Sequence, residues 1–188
     1  MKKTLKKIRR SIGRKIPEDI KSVIRRMIWL VRPIKNGAIP AEELKIFELL
    51  KDEMHTVFDV GAREDLSFYA IKKDCSYHLF EPSASAIASL KKQIAGLENP
   101  DIVLNEFGLS DTRMDNCVYY EDSQSFVINP RNKALDTGSR YSLRTLDEYV
   151  TEKKIPKIDF LKIDAEGLDY KIIKGGLETI KSKVNYIQ

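Results

Sequence analysis

The chain has 188 residues, 42% hydrophobic and 32% charged, with a formal net charge of +5, which suits one domain plus an appendage and supplies an ample core without repeats or low-complexity tracts. Two cysteines, Cys75 and Cys117, and two histidines, His55 and His78, have neither metal-site nor redox spacing; this excludes a zinc or dithiol motif and implies reduced thiols in a cytoplasmic chain. The charge is uneven: residues 1–36 hold 13 Lys and Arg against Glu18 and Asp19, net +11, and the remainder holds 20 against 26, net −6.

Residues 1–40 read as a basic helical leader and residues 41–188 as the main domain. Leu5, Ile8 and Ile12 share one side of a first helix that Gly13 breaks. Pro17 suits the first turn of a second, where Ile20, Val23, Ile24, Met27, Ile28, Leu30 and Val31 form an apolar stripe before Pro33. The longest apolar run, Met27 to Val31, is shorter than a signal-peptide core or a bilayer span. Such a basic amphipathic pair can pack on the domain or on a second copy, lie peripherally on an anionic membrane, or contact nucleic acid. Arg25 and Arg26 lack interleaved aromatics to stack bases, so nucleic acid is not expected.

Ala41 to Glu53 reads as a helix with Ile46, Leu49 and Leu50 inward. Val57, Phe58 and Val60 then form a short strand suited to a parallel sheet buried on both faces. It stops at Asp59 and Gly61, where a positive φ or a close approach by a ligand is allowed, and a helix follows over Leu66 to Lys73. Ser76 to Phe80 is a second strand ending at Glu81, about 20 residues beyond Asp59, the separation at which an acid reaches a ribose hydroxyl in a nucleotide-binding β-α-β unit. A Ser83-capped helix runs to Ala95, and a third strand over Asp101 to Phe107 leads into Gly108-Leu-Ser-Asp111.

Residues 115–128 resemble a hairpin with a polar tip, in which Tyr119, Tyr120 and Phe126 pack, and 129–138 a loop. Arg144 to Val150 reads as a short helix and Ile158 to Ile163 as a buried strand ending in Asp164-Ala-Glu166-Gly. A helix from Leu168 stops at Gly175-Gly176, and another leads to a strand beginning at Val184. The alternation predicts an α/β fold with an open, mostly parallel sheet and right-handed crossovers. Ligands of such sheets sit beyond the carboxyl ends of the strands, where Asp59 with Gly61, Glu81, Gly108 with Asp111, and Asp164 with Glu166 all lie. Taken singly, each could be a helix cap. A nicotinamide oxidoreductase would need further glycines after Gly61 that are absent. Asp159, Asp164 and Glu166, without a histidine, read as caps and a solvated rim rather than a metal site.

Val-Phe-Asp-Val-Gly-Ala at 57–62, Leu-Phe-Glu-Pro at 79–82, Arg-Thr-Leu-Asp-Glu-Tyr at 144–149, Ile-Asp-Phe-Leu-Lys-Ile-Asp-Ala-Glu-Gly at 158–167 and Lys174-Gly175-Gly176 resemble the FkbM-type S-adenosylmethionine-dependent methyltransferases. The resemblance covers roughly residues 50–188. It implies a Rossmann-like methyltransferase fold and O-methylation of a hydroxyl on a sugar, glycan or small metabolite, with S-adenosylmethionine as cofactor. Asp59, Gly61, Ala62 and Arg63 would form the first cofactor loop, Glu81 would hold the ribose hydroxyls, and Gly108 and Leu109 would border the adenine. Asp164 would lie near the cofactor's amino group or sulfonium and Glu166 nearer the acceptor; one of the two would be the catalytic base.

Two departures stand against this pattern. Most family members carry Asn at the place of Arg63 and a second glycine at the place of Asp65, so the loop is expected either to rearrange, with Arg63 pairing Asp65 or gripping the cofactor carboxylate, or to bind weakly. The family fold also continues past the strand begun at Val184, so the sheet is expected to be truncated, its edge covered by the leader, a partner or a second copy. A catalytically degenerate module that binds a partner or membrane through residues 1–36 is the rival reading. The acceptor is expected to depend on residues 115–142.

Overall fold

A computed structural model describes residues 39–98, 100–120, 125–127, 139–165 and 167–188, all within the unit Ile34–Gln188. The segments expected to form the two leader helices, the polar hairpin tip and the 129–138 loop, together with Glu166, lie outside the described residues. No helix among the described residues is long and apolar enough to cross a membrane.

Helix α1 (Ile39–Leu50) and a 3-10 turn (Lys51–Glu53) precede β1 (Thr56–Val60), α2 (Ser67–Ile71), β2 (Ser76–Phe80), α3 (Ala84–Ala95) and β3 (Ile102–Asn105). The short β4 (Gly108–Leu109), β5 (Met114–Tyr120), β6 (Ser125–Val127) and β7 (Ser139–Arg144) follow. The chain continues through α4 (Leu146–Glu152), β8 (Ile158–Ile163), α5 (Asp169–Gly175), α6 (Leu177–Lys183) and β9 (Val184–Ile187). β3-β2-β1-β8-β9 form one sheet, parallel throughout, which is the open parallel α/β arrangement expected from the alternation and the Rossmann-like one that the resemblance implied.

Strand alternation divides the core. Val57, Tyr77, Leu79 and Phe160 meet Phe47 of α1, Phe68 and Tyr69 of α2 and Leu90 of α3 in one cluster. From the other face, Phe58, His78 and Phe80 pack their rings on Tyr149 of α4 at centroid distances of 5.9, 5.7 and 4.9 Å. Full burial of a side chain of this size stabilises by ~1.5–3 kcal/mol. The expectation for α1 needs one correction. Leu49 points outward and is 78% exposed, whereas Phe47, absent from the expected inward set, is fully buried against Phe68 and Phe160. One residue shifts the helical face by about 100°, and the aromatic fits the gap between β8 and α2.

The expected hairpin is present as the antiparallel pair β5–β6, but it belongs to a second sheet, β4-β7-β5-β6, which the sequence reading did not contain. β7 pairs antiparallel with β5, with an irregularity between Met114 and Cys117, and parallel with β4. Arg144 therefore ends a strand instead of starting a helix. The third strand also stops earlier than expected, at Asn105, and Gly108–Leu109 is a separate strand of the second sheet.

The Arg144-to-Tyr149 segment is an anchoring device. The Thr145 hydroxyl caps α4 by accepting the Glu148 amide at 3.1 Å. Asp147 accepts the Thr179 amide at 2.7 Å and so caps α6. Arg144 pairs with Glu152, and the Tyr149 phenol shares a 2.6 Å hydrogen bond with His78. Leu146 lies against Gly176, where an added Cβ would stand 2.6 Å from its Cδ2.

Candidate active site

β1, β2 and β8 are parallel and in register, so their carboxyl ends share one edge; Asp59 is the cross-strand partner of Leu79 and of Lys162. By the same alternation Asp59, Glu81 and Lys162 fall on the face covered by α1 and α2. The first loop starts from Gly61, whose φ is +80°. Gly61 and Ala62 donate their amides to the Phe80 carbonyl at 3.0 and 3.3 Å, which ties the turn to β2. Arg63 then takes a left-handed φ of 52°, a conformation asparagine tolerates better than arginine.

Asp65 does not pair Arg63 in the geometry described; its Oδ1 accepts the Ser67 amide at 2.6 Å and so caps the first turn of α2. The carboxylate that replaces the usual glycine is exposed and faces the helix start. At this position the loop carries an acidic cap where a glycine would leave the helix start without one.

Glu81 is 5% exposed. Its Oε2 accepts the Arg63 amide and its Oε1 the Ser83 amide, both at 2.8 Å. Burial raises its pKa, with those two amides, Arg63 and Lys162 acting in the opposite direction. Its position between the two loops is thus fixed by backbone groups at either side.

Asp59 is 4% exposed, and burial pushes its pKa up to about 6, with Lys162 pulling it back and Asp65 and Asp164 adding to the rise. The Lys162 ammonium stands 3.1 Å from Asp59 Oδ1, an ion pair without hydrogen-bond alignment, and Oδ1 has no hydrogen-bonding partner. The same ammonium donates to the Gly61 carbonyl at 3.0 Å and lies 3.8 Å from Asp164 Oδ2. The Asp164 side chain is 57% exposed, open to a ligand.

Asp59, Gly61, Ala62, Arg63, Glu81 and Asp164 thus gather around one strand edge, linked through Lys162 and the 61–63 turn. Gly108 adjoins this edge through Pro82, whose Cγ lies 3.6 Å from where its Cβ would be. Leu109 is 1% exposed and enclosed in the second sheet, so it presents no surface at the edge. Asp111 is bound by Lys174 at 2.9 Å and faces α5. Asp159 is the second residue of β8 and Asp164 follows its end, about 16 Å apart by strand rise, too far to share a cation. Asp159 instead accepts the His55 and Thr56 amides at 3.0 and 3.1 Å.

Two residues of the site escaped the sequence reading. Lys162 lies inside an apolar strand with no motif to mark it, although a cation there has to find a carboxylate on a neighbouring strand. Asn105, 6% exposed, ends β3; its carbonyl accepts the Glu81 amide at 3.1 Å and its Nδ2 donates to the Leu79 carbonyl at 3.0 Å. Beyond Pro82 a groove of ≈ 350 Å³ runs between α3 and β7, lined by Ile87, Lys91, Glu106, Arg140 and Tyr141 among others.

No curated protein and no solved structure matches the chain. The profile of the family described as the methyltransferase FkbM domain matches residues 59–188, from the carboxylate of the first turn through β9. The strand edge and its loops lie within that match, and the chain belongs to the FkbM methyltransferase family.

Proposed function

We propose that this methyltransferase uses S-adenosylmethionine and methylates a hydroxyl of a sugar, glycan or small metabolite. The observation that carries the reading is the buried Glu81 carboxylate, fixed by the Arg63 and Ser83 amides. Each of its oxygens receives one amide and keeps a second acceptor direction, a pair of acceptors suited to the adjacent hydroxyls of a ribose. The residues fit such a cofactor: Gly61 makes the turn beside β2, Asp59 Oδ1 is a buried acceptor without an aligned donor, and Asp164 offers an exposed carboxylate next to it.

The bound cofactor would supply a methyl group on a sulfonium. Asp164 would favour that positive charge, and Asp164 or Glu166 would accept the acceptor's proton as the oxygen–carbon bond forms and the carbon–sulfur bond breaks.

Calorimetry with S-adenosylhomocysteine tests the cofactor. The full chain is expected to bind, and Glu81→Ala to weaken binding by about tenfold or more, the loss of charged hydrogen bonds. No heat of binding from the full chain would sink the reading. Labelled S-adenosylmethionine incubated with sugar and small-metabolite extracts tests the acceptor class: label should transfer with the native chain and fail to transfer with Asp164→Ala.

A further inference from the structure

β8 is buried from Ile158 to Lys162, and Lys162 is itself only 9% exposed. Burying an ammonium costs several kcal/mol unless it is paired and hydrogen-bonded. Here the compensation comes from two groups of the neighbouring β1 and its turn, the Asp59 carboxylate and the Gly61 carbonyl. Gly61 is therefore held from both sides, its amide by Phe80 of β2 and its carbonyl by Lys162 of β8. Two residues on, the Arg63 amide is delivered to Glu81. A continuous chain of contacts leads from the ammonium through the positive-φ turn to the acid at the end of β2.

We propose that Lys162 is a positioning residue for ligand binding: by clamping the Gly61 carbonyl beside Asp59 it fixes the turn that aims the Arg63 amide at Glu81. This rests on the reading of Glu81 as the ribose-binding acid. Lys162 acts through the turn and Glu81, without contacting the ligand. The groups that bear on the clamp are Asp59 from β1, Asp65 from the first loop, Asp164 after β8, and Glu81 with Arg63. Protonation of Asp59 removes the counter-charge of the ammonium, so the clamp weakens as pH falls through about 6.

The test compares the native chain with Lys162→Met and Asp59→Asn by hydrogen exchange of the ligand-free chains and by S-adenosylhomocysteine calorimetry between pH 5 and 8. Lys162→Met is expected to speed exchange of the 61–65 amides and weaken binding by about tenfold at pH 7.5. The affinity step near pH 6 should vanish in this variant, because no ammonium remains for Asp59 to hold beside Gly61. Asp59→Asn, which mimics the protonated acid, should show the weakened low-pH affinity at every pH and so lose the step near 6. Unchanged exchange and affinity in Lys162→Met overturn the proposal. Where Lys162→Met does not fold, a pH step that persists in Asp59→Asn overturns it instead. A native chain that binds nothing defeats the cofactor reading, while the exchange comparison still decides whether Lys162 holds the turn.

Discussion

The backbone oxygen of Asp164 occupies the space in which a side chain at Gly61 would begin: a Cβ there would lie 2.0 Å from it. β1 and β8 thus leave the sheet in contact, and the close approach brings the first loop and the carboxylate after β8 together. Gly61→Ala would add this collision to a φ of +80°. Left-handed strain of ~1–2 kcal/mol and overpacking of ~1–3 kcal/mol together amount to about 3 kcal/mol. For a domain of this size that is a fall in Tm of roughly 6–12 °C. A thermal melt within about 2 °C of the native chain would show that the two strand ends are not in contact.

The paired glycines Gly175 and Gly176 answer to different neighbours. A Cβ on Gly175 would come within 2.1 Å of the Ser110 backbone oxygen, whereas on Gly176 it would meet the Leu146 side chain. Backbone held in a buried loop yields less than a side chain, so Gly175→Ala is expected to destabilise by about 3 kcal/mol and Gly176→Ala by about 1–2 kcal/mol. Leu146→Val should relieve part of the Gly176→Ala defect and none of the Gly175→Ala defect, as read from denaturant midpoints. The neighbours of these glycines are Ser110, Asp111 and Leu146, none of them Glu81 or a group that binds it, so ligand affinity of the folded variants should remain native.

Much of the parallel sheet was legible because its central strands are largely apolar and stop at a polar residue or glycine, as at Val57 to Gly61, Tyr77 to Glu81 and Ile158 to Asp164. The second sheet was not. β7, Ser139–Arg144, is polar at alternate positions and adjoins a helix start, so Arg144 reads as helical; β4 is two residues long and exists only through its pairing with β7. That Asp59 and Glu81 end neighbouring strands was legible by spacing, since Glu81 follows Asp59 across one β-α-β unit. Lys162 and Asn105 were not, because their roles depend on which strand lies alongside: register places Lys162 beside Asp59, and Asn105 reaches the Leu79 carbonyl of β2. The Lys174-Gly-Gly and Arg144-to-Tyr149 motifs carried the family resemblance correctly, yet they work as anchors for α4, α5 and α6.

Asp147 links two helices through one carboxylate, its Oδ1 on the Thr179 amide at 2.7 Å and its Oδ2 on the Glu178 amide at 3.4 Å. Asp147→Ala would leave the start of α6 without an acceptor and should lower stability by about 1 kcal/mol. Asp147→Asn retains an acceptor and should recover more than half of that loss. Equal stability of the alanine and native chains in chemical denaturation would remove the cap from the account of this segment.

Asp59 and His78 set opposing pH slopes on stability. Burial pushes Asp59 up to about 6 from 3.8 and pushes His78, hydrogen-bonded to Tyr149, down to about 4 from 6.5. The native chain keeps the Asp59 proton over a range where the unfolded chain has lost it, so that contribution is present below pH 3.8 and declines as pH rises through about 6. For His78 the unfolded chain takes the proton first, so its contribution is present above pH 6.5 and declines as pH falls toward about 4. Each shift corresponds to roughly 3 kcal/mol, and between about pH 4 and 6 the two slopes nearly cancel. Asp59→Asn should uncover the histidine slope, with Tm falling steeply from pH 6.5 to 4. His78→Gln, which keeps a polar partner for the Tyr149 hydroxyl, should uncover the other, with Tm rising as pH is lowered from 6 to 4. Melts of the two variants that run parallel to the native curve across this range would show that neither group titrates out of the ordinary when the chain folds.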